Sequence, residues 1–458
     1  MSRGDPTITP RRPKPGHDLA RIYLQVGQNQ QTRAQMPVTR LLTRAVSSCI
    51  PRALRRVEAI TNAAIGGPTD ADIEVLSRRI ILPSMPITDE EMARAEFQDR
   101  GQKLARQEMW NELSQEIHKA DAARLATPGG ESAAMLLAFG ARGDVVAVAE
   151  DSLHENVKPA SDGIDALEQM LEDHSGDYAC ALIVAMAHVD LGWAWRHAPE
   201  CEVTMTSGVR ATKFKNHFDR AESLLAPYCG IAENAPSLAA AQCALMAAMT
   251  APDRRVADNY EDLIDLDPTS PRHMRALGQS LLPSRFGSYQ QLEVEARRTA
   301  SRTGDIWGAG AYAWVYFDAL ALDEGALEML DCDFFIEGLQ DILNRNSDQH
   351  VANLLAAFCA VTMGPLSGET LHTYTSRQKI GQCLSWILSN HLHELHPLIW
   401  TQALHSPGLT PPLPSRRALV TEGRQAALRA IALQFADDIA DGSSIAFSPA
   451  GMYRLPTI

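Results

Sequence analysis

Apolar residues recur at steps of three and four over most of this sequence, and this spacing is the strongest constraint on its fold. Tyr178, Leu182, Met186, Val189 and Trp193 follow one another at steps of four, four, three and four, which places them on one face of a helix. Other segments repeat the pattern, separated by short joints that contain glycine or proline. We find no convincing run of alternating apolar and polar residues that would predict strands. The spacing predicts an all-α fold of stacked antiparallel helix pairs, as a solenoid or a bundle.

The length of the chain favours such a stack. Its 458 residues exceed one compact core by the usual prior of roughly 100–200 residues per domain, whereas a helical solenoid extends because each repeat packs only on its neighbours. We predict a basic, partly disordered arm at 1–67, a helical subdomain at 68–160, a helical-repeat body at 161–442 and an irregular tail at 443–458. A continuous stack across residues 159–163 is an equally good interpretation.

Positive charge is concentrated at the N-terminal end. Residues 1–56 contain eleven lysines and arginines against two aspartates, or +9, and because the whole chain has a formal net charge of −14, the remainder has −23. This asymmetry is typical of a basic, flexible arm on an acidic body. Such an arm can bind nucleic acid, an anionic membrane face or an acidic partner, and the alternative is a solubility tail that folds back onto the acidic body. The candidate interaction residues are Arg40, Arg44, Arg52, Arg55 and Arg56.

The cysteines and the apolar runs indicate a cellular compartment. None of the eight cysteines forms the CxxC spacing of a zinc or redox site, and most stand among apolar residues, as expected for buried thiols in a reducing compartment. No apolar run approaches the roughly 18 residues that a membrane span needs. Residues 1–16 are polar and proline-rich, unlike a secretory signal. We therefore expect a cytoplasmic protein without a transmembrane segment.

Residues 236–268 resemble a tetratricopeptide repeat (TPR), which is a pair of helices of about 34 residues. The first helix offers Ala240, Cys243, Ala244 and Ala247 where that repeat has an aromatic, an aliphatic, a small and an aromatic residue, and the second offers Val256, Tyr260 and Leu263, followed by Pro268. Both signature aromatics of the first helix are missing. The resemblance implies a TPR-like α-solenoid, in which small residues let the two helices of a pair pack closely.

A wider stretch, residues 176–303, resembles a bacterial family of helical proteins of unknown function, labelled DUF4034. The matching landmarks are Tyr178-Ala179, Trp193-Ala194-Trp195-Arg196, the segment from Phe218 to Leu225, and Leu282-Pro283-Ser284-Arg285-Phe286-Gly287-Ser288. That family has two glycines after the aromatic of the last motif, whereas Gly287 stands alone here. The resemblance implies a helical fold and no particular activity.

Clustered histidines near residue 393 suggest a metal site, but their spacing argues against one. His391, His393 and His396 are close together as in zinc sites. On a helix, residues two apart face nearly opposite ways, and His396 precedes Pro397, which disfavours a helical conformation at that histidine. We therefore expect a helix end with one packed and two solvated histidines, and no metal.

Two further patterns have structural interpretations. Asp437, Asp438 and Asp441 spell the DDxxD that holds magnesium in isoprenoid synthases, but the apolar stripe that includes Ile439 turns Asp437 and Asp441 away from the core. The sequence Gly308-Ala309-Gly310 is not followed by a phosphate-loop pattern and lies in an apolar segment, from Trp307 to Leu322, that reads as one helix. We expect a close contact between helices there.

The sequence contains abundant helix-pair patterning and no defensible catalytic, cofactor-binding or metal site. We therefore predict a non-enzymatic protein–protein interaction or scaffold protein, whose partner is another protein and which needs no cofactor. One alternative is an all-α enzyme, which would show a water-excluding pocket with several converging ionisable groups. The other is a nucleic-acid or membrane-surface adaptor that acts through residues 1–56.

Overall fold

Helices form almost all of the regular structure. The computed structural model describes residues 70–199, 206–249, 255–365, 370–405 and 414–456. Within them, three short strands form a single small sheet, so the predicted all-α class is confirmed. The helices are α1 (Asp70–Ser77), α2 (Asp89–Arg106), α3 (Trp110–Ala122), α4 (Ala133–His154), α5 (Asp162–Asp173), α6 (Tyr178–His197), α7 (Ser207–Leu225), α8 (Pro236–Leu245), α9 (Val256–Leu266), α10 (Pro271–Ser280), α11 (Tyr289–Arg302), α12 (Gly304–Trp307), α13 (Gly310–Leu322), α14 (Cys332–Arg345), α15 (Gln349–Ala357), α16 (Leu371–Gln382), α17 (Leu384–Asn390), α18 (Pro397–Leu404), α19 (Arg416–Gln434) and α20 (Ala436–Ala440). The strands are β1 (Ile80–Ile81), β2 (Ser444–Ser448) and β3 (Gly451–Leu455).

Helix α2 starts where the sequence predicts and ends earlier. The Thr88 hydroxyl accepts a hydrogen bond from the Glu91 amide, and the Glu91 carboxylate accepts one from the Thr88 amide, which is a capping box. The sequence predicts a helix that continues through Trp110 towards Ala126. A break separates α2 from α3 instead, because Glu108 has a φ of 55°, a left-handed conformation that a right-handed helix does not contain.

Residues 132–154 require the opposite correction. The sequence predicts two helices joined at Arg142, Gly143 and Asp144, but α4 is continuous through them. A single glycine weakens a helix by about 1 kcal/mol relative to alanine without ending it. The continuity keeps Arg142 in phase with the buried side of α4, where it is 3% exposed.

Glycines allow several helices to approach each other closely. A Cβ atom on Gly140 of α4 would lie 1.9 Å from the carbonyl oxygen of Gln98 in α2, and one on Gly278 of α10 would lie 1.7 Å from that of Val315 in α13. Both distances are far below van der Waals contact, so only a residue without a side chain fits at either position.

The predicted helix contact at Gly308 and Gly310 is confirmed, although the predicted single helix is divided. A Cβ atom on Gly310 would lie 2.9 Å from Ile342 Cγ1 in α14. Gly308 has a φ of 60°, and this left-handed residue separates α12 from α13. The Ala309 amide between the glycines donates a hydrogen bond to Asp341 of α14 at 2.8 Å, which fixes the break against the neighbouring helix.

The prediction of an irregular tail at 443–458 is wrong for its described part. Strand β2 pairs antiparallel with β3 and parallel with β1, in the order β1–β2–β3. Ile445 and Phe447 of β2 are 0% and 4% exposed and belong to the core. Such short strands depend on packing and on a distant partner rather than on an intrinsic preference, so no local pattern indicated them.

Two large hydrophobic clusters form the interior. One contains residues from Leu104 to Leu245 and the other residues from Ala239 to Phe447, and α8 contributes to both. The first cluster spans the predicted boundary between residues 160 and 161. The stacked-pair solenoid and its division into subdomains stay predictions.

Segments near the two ends of the described chain meet. The Met85 amide donates to the Leu395 carbonyl, and the Leu395 amide donates to the Pro83 carbonyl, both at 2.8 Å. The guanidinium of Arg416 at the start of α19 contacts Glu91 of α2. These bonds, with the β1–β2 pair, join residues 80–91 to Leu395, to the start of α19 and to β2.

Among the described helices, α6 alone is long and apolar enough to cross a membrane by length and composition. In the structure, 94% of the 18-residue apolar stretch of α6 is buried inside the protein. That burial is typical of the central helix of a folded core.

Candidate functional site

A cavity of about 490 Å³ lies at the centre of the fold. Its wall is formed by residues of α4, α6, α8, α9, α10, α13, α15, α18 and α19. The volume falls within the roughly 300–1,000 Å³ that is usual for small-molecule sites. Since elements from most of the described chain contribute to the wall, the cavity is a product of the whole fold.

Small residues of α8 and the turn after it leave room for the cavity. Ala240, Cys243, Ala244 and Ala247 all line it, and the Cys243 thiol lies 3.7 Å from the Asn259 carbonyl of α9. The TPR-like interpretation assigned these small residues to close packing within a helix pair. Their position at the cavity wall is a further role for these residues, and the TPR-like interpretation stays a prediction.

Arginine is the main charged residue of the cavity wall. The described lining contains five arginines, one glutamate, one aspartate and no lysine, in a chain with a net charge of −14. The arginines are Arg142, Arg272, Arg275, Arg285 and Arg416. The wall is therefore more basic than the protein as a whole.

Two of these arginines form ion pairs with aspartates. Arg142 donates through Nε to Asp190 Oδ2 at 2.7 Å, and both side chains are 4% exposed. Arg275 donates through Nε and Nη2 to Asp318 at 3.0 and 2.7 Å, and Gln279 donates to the same carboxylate. Buried cations need such partners. Arg142 Nη1 nevertheless has no hydrogen-bond partner among the described residues.

A third carboxylate is shared between two arginines. Glu131 Oε1 accepts a hydrogen bond from Arg94 Nη1 at 2.7 Å and another from Arg272. One carboxylate thus faces two guanidinium groups, which leaves a local excess of positive charge. Arg94 is itself 3% exposed, so its charge acts in a medium that screens it poorly.

A smaller cavity of about 30 Å³ lies beside the first, where α2 meets α18. Glu90, Arg94, His350 and His396 line it, and it has room for about one or two water molecules. Burial raises the pKa of Glu90, and burial together with the charges of Arg272 and other cations lowers the pKa of His350 to about 3. His350 is therefore a neutral imidazole at neutral pH.

The predicted histidine cluster is a polar junction. Asn353 of α15 is 0% exposed; its amide oxygen accepts bonds from the His396 amide and Trp400 Nε1, at 3.0 and 3.1 Å. His396 lies outside a helix, as predicted, and is buried with Nε2 2.9 Å from Glu394. His391 and His393 are partly buried rather than solvated.

The DDxxD aspartates lie on the surface around α20. Asp437 and Asp441 are exposed and Ile439 is buried, as the apolar stripe predicts. Asp438 accepts a hydrogen bond from Arg454 of β3 at 2.8 Å. Within the described residues, no three histidine, cysteine, aspartate or glutamate side chains are grouped so that they could hold a metal ion.

Sequence reasoning missed the residues that give the cavity its charge. The candidate arm residues Arg40, Arg44, Arg52, Arg55 and Arg56 lie outside the described residues. Arg142 was assigned to a turn, although its place three residues after Phe139 continues the apolar stripe of α4 and was the available signal. Arg272 and Arg275 likewise stand three apart on one face of α10.

Comparisons of this chain with known protein families, curated proteins and solved structures find no match. The resemblances to the tetratricopeptide repeat and to DUF4034 therefore stay predictions, and the geometry of the cavity is the basis for a functional proposal.

Proposed function

We propose that this protein is a non-enzymatic binding protein and that the central cavity is its binding site. The observation that supports this is an apolar cavity of about 490 Å³ between helices of both halves of the described chain. Pockets of this kind, mainly apolar with a few placed polar groups, are the usual form of ligand sites. Because its volume of about 490 Å³ is within the range of small-molecule sites, the cavity favours a small molecule over a folded domain.

The polar groups of the wall favour binding over catalysis. Asp318 and Glu131 are salt-bridged to arginines, and a carboxylate held in this way is a weak general base. His350, in the neighbouring small cavity, is neutral but deeply buried. The converging ionisable groups of the wall favour the alternative of an all-α enzyme. However, the two carboxylates are already paired with arginines in salt bridges.

The cysteines support the cytoplasmic assignment that accompanies this proposal. All six cysteines within the described residues are free, and free thiols persist in reducing compartments. The adaptor alternative, which depends on the basic arm, stays a separate prediction because the arm lies outside the described residues.

The proposal is tested by filling the cavity. The full-length protein is titrated with Nile red, a neutral dye whose fluorescence rises in apolar sites, and compared with Ala244→Phe. Ala244 lines the cavity, so the added ring is expected to reduce dye affinity about tenfold or more. The matched control is Ala211→Phe, because Ala211 is exposed on α7.

Two results would contradict the proposal. One is the absence of saturable dye binding to the unaltered protein. The other is an Ala244→Phe variant that keeps its circular dichroism spectrum and binds dye as well as Ala211→Phe does.

A further inference from the structure

One wall of the cavity is an apolar strip that ends at an arginine. Met135, Leu136, Phe139 and Arg142 of α4 all line the cavity. At 1.5 Å per residue, the strip from Met135 to Arg142 is about 10 Å long. The Arg142 guanidinium carbon lies 5.1 Å from the centre of the Phe139 ring, so the apolar strip and the cation are continuous.

The ion pair of Arg142 uses less of its guanidinium group than the ion pair of Arg275 does. Arg275 donates through two nitrogens to Asp318. Arg142 uses Nε for Asp190, while its buried Nη1 has no hydrogen-bond partner among the described residues. A buried cationic donor without an acceptor is unfavourable, and an anionic acceptor is its best partner.

The surrounding charge also favours an anion. Arginines outnumber acidic residues five to two in the described lining. Burial lowers the pKa of Arg285, another lining arginine, which means that burial disfavours its charged form and that a nearby anion would stabilise it. The chain's own arm is a poor occupant, because residues 1–56 have a net charge of +9 and would be repelled by this wall.

We propose that the ligand is an amphipathic molecule with an apolar, single-chain body and one anionic group, and that Arg142 binds the anionic group. This inference rests on the proposed function, since it names the ligand class of the same cavity. The apolar body lies along Met135, Leu136 and Phe139, and the anionic group accepts a hydrogen bond from Arg142.

The test compares head groups on one chain length. Dodecanoate, dodecyl phosphate, dodecanol and dodecylamine each compete with Nile red for the full-length protein at fixed pH and ionic strength, below their micellar concentrations. We expect at least one anion to bind about tenfold or more tightly than dodecanol, which corresponds to about 1.4 kcal/mol, and dodecylamine to bind most weakly. The two anions distinguish a carboxylate from a phosphate ligand.

Substitutions assign the preference to one residue. Arg142→Met is expected to reduce the preference for the anion over dodecanol to less than threefold. The control is Arg106→Met. Arg106 forms an ion pair with Asp144, which lies in the same helix as Arg142, but this pair is about half exposed. Arg106→Met is therefore expected to leave the preference for the anion unchanged. Because Arg142→Met leaves Asp190 without its guanidinium, the double variant R142M/D190L is measured as well, with thermal melting to show that it folds.

The possible failures are distinguishable. Equal affinity for dodecanoate, dodecyl phosphate and dodecanol would overturn the ligand class and leave the binding function standing. An anion preference that persists in folded R142M/D190L would overturn the role of Arg142. Failure of every compound, and of Nile red, to bind would overturn the proposed function itself.

Discussion

Replacing Gly278 by alanine tests whether α10 and α13 touch through their backbones. The added Cβ atom would lie 1.7 Å from the Val315 carbonyl oxygen and 3.4 Å from Val315 Cγ1. The oxygen belongs to the backbone of α13 and cannot rotate away. To reach van der Waals contact with the added Cβ atom, the two helices would have to separate by roughly 1 Å or more. Since α10 also supplies Arg272 and Arg275, the separation would deform the cavity wall.

The expected destabilisation follows from two opposing terms. Overpacking a close contact costs about 1–3 kcal/mol, and more where backbone must move, whereas alanine stabilises a helix by about 1 kcal/mol relative to glycine. The difference between these terms is a net loss of about 0–2 kcal/mol for Gly278→Ala, and more where the backbone moves. Gly143 in α4 is the control, because a Cβ atom there would have no neighbour within 4 Å, and Gly143→Ala is expected to gain up to about 1 kcal/mol.

The two variants are compared by urea unfolding followed by circular dichroism at 222 nm, and hydrogen exchange locates the change. Exchange is expected to accelerate in α10 and α13 of Gly278→Ala, with α4 unaffected. If Gly278→Ala proves as stable as Gly143→Ala, the close approach of α10 and α13 is refuted.

Two further predictions concern pH and the C-terminal strands. The pKa of His350 is about 3 in the folded state and about 6.5 in the unfolded state, so the folded state binds fewer protons between these pH values. The free energy of unfolding should therefore fall as pH decreases below about 6.5. His350 contributes at most about 1.4 kcal/mol per pH unit to this fall. His350→Gln should make the urea midpoint depend less on pH between pH 7 and pH 5, and an unchanged slope would contradict the low pKa of His350. Part of the slope should remain, since burial also lowers the pKa values of His197 and His217 to about 4. Phe447→Ala should destabilise the fold by about 3 kcal/mol in the same unfolding assay. The control Tyr453→Ala, at a side chain that is 45% exposed, should destabilise it by less than about 0.5 kcal/mol. Equal effects of the two substitutions would show that β2 is not part of the core.

Local chemistry decided what could be predicted about individual helices. The side chains of Thr88 and Glu91 cap the start of α2 within one turn of each other, so their spelling was sufficient. The step pattern from Tyr178 to Trp193 likewise predicted α6, and these residues are buried. These interactions join residues a few positions apart, so the spacing of the residues in the sequence is sufficient to predict them.

The functional candidates depended on residues far apart in the chain. Arg142 looks like part of a turn until the continuous α4 places it beside Asp190. His396 is predicted to lie outside a helix, but its contacts with Asn353 and Glu394 come from the tertiary structure. The strand β2 pairs with the neighbouring β3, but its other edge pairs with residues 80 and 81, which are far away in the chain. Thus the sequence by itself determined the helical class and most helix faces, since both follow from local periodicity. Only the tertiary structure decided the cavity, its arginines and the small sheet, since each arises where distant segments meet.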